Sequence, residues 1–144
     1  KNNTGTIVDF DKSGTSVGNI SITSSNTSYN TSSDYRLKEN VVGITSAITR
    51  LKTLKPSRFN FKIDPSVTVD GFIAHEVTAV PEAISGTKDE TYTEDDSSRN
   101  IKAGDPKYQG IDQSKLVPLL TAALQEAITK IETLETKVAA LEGG

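Results

Sequence analysis

Toward its C-terminal end the chain places Val117, Leu120, Leu124, Ala127, Ile131, Leu134, Val138 and Leu141 at alternating intervals of three and four residues. That spacing puts all of them on one stripe of an α-helix, and a stripe repeating twice in seven residues is the seam of a coiled coil. Taking Leu124, Ile131 and Val138 as a positions sets Leu120, Ala127, Leu134 and Leu141 at d, Lys130 and Lys137 at g, and Glu135 and Glu142 at e. The g lysine of one heptad then faces the e glutamate of the next on a neighbouring helix, the pairing of parallel chains. Ile128, at an e position, widens the apolar stripe and favours three strands over two. The helix is predicted from about Ser114, a capping residue, to Leu141, with Pro118 confined to the first turn because a later proline would kink it. Pattern alone leaves one alternative open, a single amphipathic helix packed on its own domain.

The rest of the chain must be built around that helix, and 144 residues leave room for one modest core. Residues 1–32 contain no Ala, Leu, Glu or Arg and are dominated by Ser, Thr, Asn and Gly, a composition that favours strands, turns and coil over helix. "GTIVDFD" and "SVGNISIT" around "KSGT" predict two short strands joined by a glycine-containing turn. Ile7, Val8, Phe10, Val17, Ile20 and Ile22 are too few to make a core by themselves, so this segment needs partners, either further copies of itself or the next segment. From Asp34 to about Ile111 the pattern is mixed. "GITSAITRLKTLKP" sets Ile44, Ala47, Ile48, Leu51 and Leu54 on one helical face and stops before Pro56. "RFNFKI" alternates Phe59, Phe61 and Ile63 with polar residues, as a half-buried strand does, and "DGFIAHEV" predicts a strand that runs through Phe72, Ile73 and Ala74 into His75 and Glu76. The polar, locally acidic stretch from Ser85 to Gln109 predicts an exposed excursion with one hairpin, and its Glu94, Asp95 and Asp96 match no calcium-loop spacing. The fold class is therefore α+β: residues 1–32 as a short β segment, 33–113 as a small mixed head, and 114–144 as a long C-terminal coiled-coil helix.

Composition removes several kinds of function. Sixteen basic against nineteen acidic side chains leave a net charge of -3, without a basic field for nucleic acid or anionic lipid. With no cysteine and one histidine, neither a thiolate nor a His-rich metal site is possible, and no cofactor is expected. No apolar run approaches the ~20 residues of a membrane span. The chain also lacks methionine, so we expect it to be part of something longer.

One stretch carries a possible chemistry. In "NTSSDYRLKENV", Asn30 to Val41, Ser33 stands five residues ahead of Lys38. Spacing alone is explained as well by a polar loop in which Asp34 caps the first turn and Lys38 is solvated. A Ser-His pairing of Ser33 with His75 lacks the Gly-x-Ser-x-Gly elbow and any oxyanion-hole signature. For a serine-lysine pair the requirement is a neutral lysine able to take the serine proton. The ordinary lysine pKa of about 10.4 must then fall by a few units, through burial or a like charge, for which Arg36 is a candidate. The chain must also bend, because residues five apart lie on opposite faces of a strand and about 140° apart on a helix.

"SSDYRLKENV", "DGFIAHEV" and "DQSKLVPLLTAALQE", in that order and at these separations, resemble the C-terminal intramolecular chaperone domain of phage tail spikes and fibres, the peptidase S74 family. The resemblance runs from Ser33 to the C-terminal helix. It implies a homotrimeric α+β head that assists folding of the β-rich fibre region of the same chain and then cuts itself off ahead of the motif serine. Residue by residue, Ser33 corresponds to the nucleophile and Lys38 to its base, with the cut between Ser32 and Ser33, while Asp34, Arg36, His75 and Glu76 fill supporting positions. Residues 1–32 would be the end of the fibre. The implied setting is the host cytoplasm during assembly and, for the mature fibre, the virion tail. A trimerising fibre-tip module that does not cut is the second reading, and a hydrolase acting on other molecules the third.

Overall fold

Ser13 and Gly14 both take positive φ (53° and 79°), the pair of conformations that turns one strand tightly back on the next with matching twist. They join β1 (Gly5–Lys12) to β2 (Thr15–Ile22), the two strands read from the sequence. A third strand that the sequence reading did not foresee, β3 (Thr27–Thr31), pairs antiparallel with β2, so the order is β1-β2-β3. The structure, a computed structural model, describes residues 5–143. It divides into two compact units, Lys1–Gly43 and Ile44–Gly144.

The first unit brings Val8 opposite Ile20 and Ile20 opposite Tyr29, an apolar row across all three strands. None of its described residues is buried. Three strands with one apolar face are marginal until something covers that face.

Among the described residues, the buried hydrophobic ones all lie in the second unit. Ala47 and Leu54 on one side and Leu116, Leu119 and Ala123 on the other enclose Val77, Val80 and Ala83. Ala47 belongs to α1 (Ala47–Leu51), shorter than predicted because Ser46 sits in the left-handed region and stops the helix from including Ile44, which is exposed. Pro56 then opens β4 (Ser57–Phe61), which pairs with β5 (Asp64–Gly71). The "RFNFKI" alternation holds only in part: Phe59 is half-buried and its ring meets Phe61 edge-on at 5.3 Å, but Ile63 falls in the turn and is exposed. The strand placed in "DGFIAHEV" ends at Gly71. Its partner residue Ser57 follows Pro56, which has no N–H to continue the ladder. Phe72 packs against the core instead, and Ala74–Glu76 forms a 3-10 turn.

Two-residue strands β6 (Ile84–Ser85) and β7 (Gly110–Ile111) pair and draw together the ends of the polar excursion. Its predicted hairpin is present as two bridges, Thr91 with Pro106 and Asp96 with Ile101. The acidic run serves the loop's own geometry. Asp95 accepts from the Ala103 amide at 2.9 Å, and Asp96 is held down to about 2 by the Ser98 hydroxyl and then the Arg99 guanidinium.

Ser114 does not cap the long helix, whose N-cap position is Leu116; Ser114 lies instead in a preceding 3-10 turn capped by Asp112, whose carboxylate accepts from both the Ser114 amide and the Ser114 hydroxyl. A 3-10 turn (Gln113–Leu116) precedes α2 (Val117–Glu142), with Pro118 in the first turn as predicted. Leu116, Leu119 and Ala123 form the buried face, and Glu126 reaches back to accept from the Ile48 amide at 3.1 Å, supplying the cap that α1 lacks locally. The heptad stripe points elsewhere: Leu120, Leu124, Ile131, Leu134, Val138 and Leu141 are all exposed, while Ala127 is half-buried. Among the described residues, no helix is long and apolar enough to cross a membrane.

This division of α2 makes Leu119, at 2% exposure, one of the two largest fully buried side chains of the second unit, with Val80. Leu119→Ala is expected to destabilise that unit by about 2–5 kcal/mol, the range for emptying a buried leucine site. Denaturant unfolding followed by circular dichroism checks it, and an unchanged midpoint would contradict this account of the core.

Candidate active site

Ser32 is the last residue tied to the sheet: its amide donates to the Val17 carbonyl at 3.2 Å and its hydroxyl to the Ser16 carbonyl at 3.4 Å. One residue later the chain leaves the ladder and bends through a 3-10 turn, Tyr35–Leu37. The bend is built from Asp34. Its carboxylate accepts from the Arg36 amide at 2.8 Å, and the Lys38 amide closes the turn on the Tyr35 carbonyl at 3.1 Å.

The turn converts a five-residue interval into a contact. Lys38 Nζ lies 2.7 Å from Ser33 Oγ, within the reach needed for proton transfer between nucleophile and base. Neither strand nor helix brings these positions together. Both residues are exposed, as are Tyr35, Leu37, Val41 and Val42 around them.

Arg36 makes a two-pronged contact with Asp34, Nε to Oδ1 at 2.9 Å and Nη2 to Oδ2 at 2.9 Å. The Arg36 guanidinium and then its amide hold the Asp34 carboxyl below its ordinary value, and the positive charge of Lys38 adds to this. The guanidinium proposed from the sequence as a like charge acting on Lys38 is thus already matched by a carboxylate.

His75 and Glu76 lie in the second unit, on the Ala74–Glu76 turn. Glu76 pairs with Lys55 at 3.3 Å, and His75 is exposed, with no side-chain hydrogen bond among the described residues. The same unit carries an open apolar groove bordered by Phe59, Phe61, Val69, Phe72, Ile73 and Ile111. Sequence reading found its aromatic residues as strand faces, but the groove itself depends on how the ends of β4 and β5 meet β7, which no periodicity encodes.

Residues 33–85 match the family model Peptidase_S74, chaperone of endosialidase. That stretch is similar to the Peptidase_S74 family, and the match takes in both "SSDYRLKENV" from its second serine and "DGFIAHEV". No curated protein matches the chain, and no solved structure does.

Gly18 controls how firmly the site is anchored. A Cβ there would meet the Asn30 carbonyl oxygen at 2.6 Å, so β3 must move away from β2 if any side chain is introduced. Gly18→Ala is expected to speed hydrogen exchange of the Asn30 and Ser32 amides by about tenfold or more, equivalent to ~1.4 kcal/mol. The Leu119 region serves as the internal control. Unchanged exchange at Ser32 would show that β3 is held by something other than its pairing with β2.

Proposed function

We propose that this chain is an intramolecular chaperone for a phage tail fibre or spike, and that it assembles as a trimer and releases itself by cutting between Ser32 and Ser33. The observation that carries the reading is the 2.7 Å approach of Lys38 Nζ to Ser33 Oγ, inside a segment that matches the chaperone of endosialidase family. The fibre end is residues 1–32, the head 33–113, and the coiled-coil helix 114–144. Folding takes place in the host cytoplasm, and the mature fibre stays on the virion tail after the head departs.

In this reading a neutral Lys38 takes the proton of Ser33 Oγ as that oxygen attacks the Ser32 carbonyl carbon. Collapse of the tetrahedral intermediate breaks the Ser32 to Ser33 peptide bond, and the departing Ser33 nitrogen receives the proton back from Lys38. The product is an ester between the Ser32 acyl group and Ser33 Oγ. Water then hydrolyses it, leaving a Ser32 carboxylate and a Ser33 with both its amine and its hydroxyl free. Attack on the same chain and attack on a neighbouring one use the same two side chains.

Assembly supplies what a single chain lacks. An amine acts as a base only in its neutral form, which burial favours, and a covering surface supplied by neighbouring chains is the part assigned to assembly. The exposed apolar residues of the heptad stripe and of the uncovered β1-β2-β3 face support association with further copies. A cut after Ser32 leaves every pairing of β3 with β2 on the fibre side. Register in a polar, Ser/Thr-rich strand set is weakly specified by hydrophobic pattern, so a trimeric head that aligns three chains before leaving is a useful device. The fibre's persistence afterwards rests on a high unfolding barrier.

A trimerising fibre-tip module that does not cut shares the fold and the helix, and the mass of the purified protein separates the two. Self-cleavage divides the chain into a piece of 32 residues and one of 112 beginning at Ser33, together the 144 of the whole, without added protease. Ser33→Ala, Lys38→Ala and Lys38→Arg are each expected to leave an uncut chain that still assembles, arginine failing because it does not deprotonate near neutral pH. The same break appearing in Ser33→Ala would overturn the assignment.

The trimer has its own test. Leu134→Asp is expected to place an unpaired charge in the seam and weaken association by several kcal/mol per trimer. Sedimentation equilibrium reads it directly, and an unchanged mass would assign α2 another purpose.

A further inference from the structure

We propose that Arg36 is a positioning residue that keeps the Asp34 carboxylate away from Lys38, so that the lysine engages Ser33 instead of being fixed as the cation of an ion pair. The proposal rests on the serine-lysine reading above and deepens it. Three charged side chains fall within the five residues from Asp34 to Lys38, and the turn folds them into one small volume. Asp34 has two potential cationic partners, Arg36 and Lys38. The structure gives it wholly to Arg36: Oδ1 accepts from the Arg36 amide and from Nε, and Oδ2 accepts from Nη2, at 2.8, 2.9 and 2.9 Å. Lys38 makes no ion pair among the described residues, and the bond of its ammonium is to Ser33 Oγ at 2.7 Å.

The choice has a geometric cause. A guanidinium presents parallel N–H groups that match both oxygens of a carboxylate, whereas an ammonium is a point charge satisfied by any acceptor. With both Asp34 oxygens occupied along the fork, the carboxylate also remains available to cap the Tyr35–Leu37 turn that holds Ser33 and Lys38 together. Lys38 nevertheless stands close enough to influence the Asp34 carboxyl. Without Arg36, Asp34 would be a free anion within the influence of Lys38, and an ion pair there would favour the protonated lysine and oppose its use as a base. The other charged neighbour is Glu39, next in sequence, which has no hydrogen bond or ion pair among the described residues. A partner at this position is therefore useful to the chemistry only if it binds Asp34 more selectively than Lys38 does.

The test is a titration that does not require cutting. In the full-length Ser33→Ala chain, the Lys38 side-chain carbon signal is followed by NMR against pH, alone and with Arg36→Ala, Arg36→Lys or Asp34→Asn/Arg36→Ala added. Arg36→Ala is expected to move the Lys38 midpoint upward by about 0.5 pH unit, the scale of one solvent-exposed ion pair. Arg36→Lys is expected to move it part of the way, because a second ammonium cannot fork. Asp34→Asn/Arg36→Ala is expected to return it to the Ser33→Ala value, since Asn retains the capping oxygen without the charge. In chains that keep Ser33, the pH profile of self-cleavage is expected to shift in the same order and directions. A role confined to shaping the turn predicts lower rates at every pH with no shift of midpoint. An unmoved Lys38 midpoint in Arg36→Ala, or one not reversed by Asp34→Asn, overturns the proposal whether or not cutting occurs. A parent chain that never cuts counts against the proposed function instead and leaves the titration to decide this inference.

Discussion

The packing of α1 against the first turns of α2 is the constraint on which the rest of the second unit depends. Leu116, Leu119 and Ala123 meet Ala47 and Leu54 around Val77, Val80 and Ala83, and the Glu126 carboxylate fastens the amide of Ile48 across an interval of 78 residues. Successive residues of an α-helix are turned by about 100°, so turning Leu119 inward necessarily carries Leu120 around to another side. The heptad stripe is therefore not available to the head's own core. The helix thus has one apolar face inside its own unit and a second one in water. Burial of the first face does not compete with burial of the second, because different side chains serve each.

Around the Ser33 to Lys38 turn the dominant effects are short-range and electrostatic. A carboxylate that caps a turn and grips a guanidinium shapes a bend from only three residues, Asp34 to Arg36. The sheet holds Ser32 on one side of that bend and leaves Ser33 beyond its last pairing. Fixing both sides of the bond between them orients the Ser32 carbonyl and the Ser33 hydroxyl through separate elements, the ladder and the turn. None of this buries the lysine. In the proposed function a neutral amine is needed on this exposed turn, and the covering surface is assigned to assembly.

The first unit shows the same dependence at the level of folding. Its sheet is regular and its turn residues suit the hairpin, yet no side chain among its described residues is buried. The apolar row from Val8 through Ile20 to Tyr29 is thus left without a core around it, and the sparse hydrophobic content that marked this zone in the sequence is the reason.

Sequence alone determined the features that arise from local periodicity and local chemistry: the hairpin around Ser13 and Gly14, the strand in "RFNFKI", the polar excursion between Ser85 and Gln109, and a long helix with a heptad stripe. These were legible because each is encoded by neighbours within one or two turns of chain. The order "SSDYRLKENV", "DGFIAHEV" also carried the family resemblance, now matched over residues 33–85. Tertiary structure decided the rest. It chose the face of α2 that packs inward, since Leu119 and Leu120 are equally apolar and only the position of α1 distinguishes them. It ended β5 at Gly71 because β4 starts beside Pro56, a fact about the partner strand that "DGFIAHEV" cannot contain. It gave Arg36 to Asp34 and Lys38 to Ser33. Among four polar side chains in six residues several pairings satisfy the sequence, and the bend of the backbone, fixed by one capping carboxylate, selects between them.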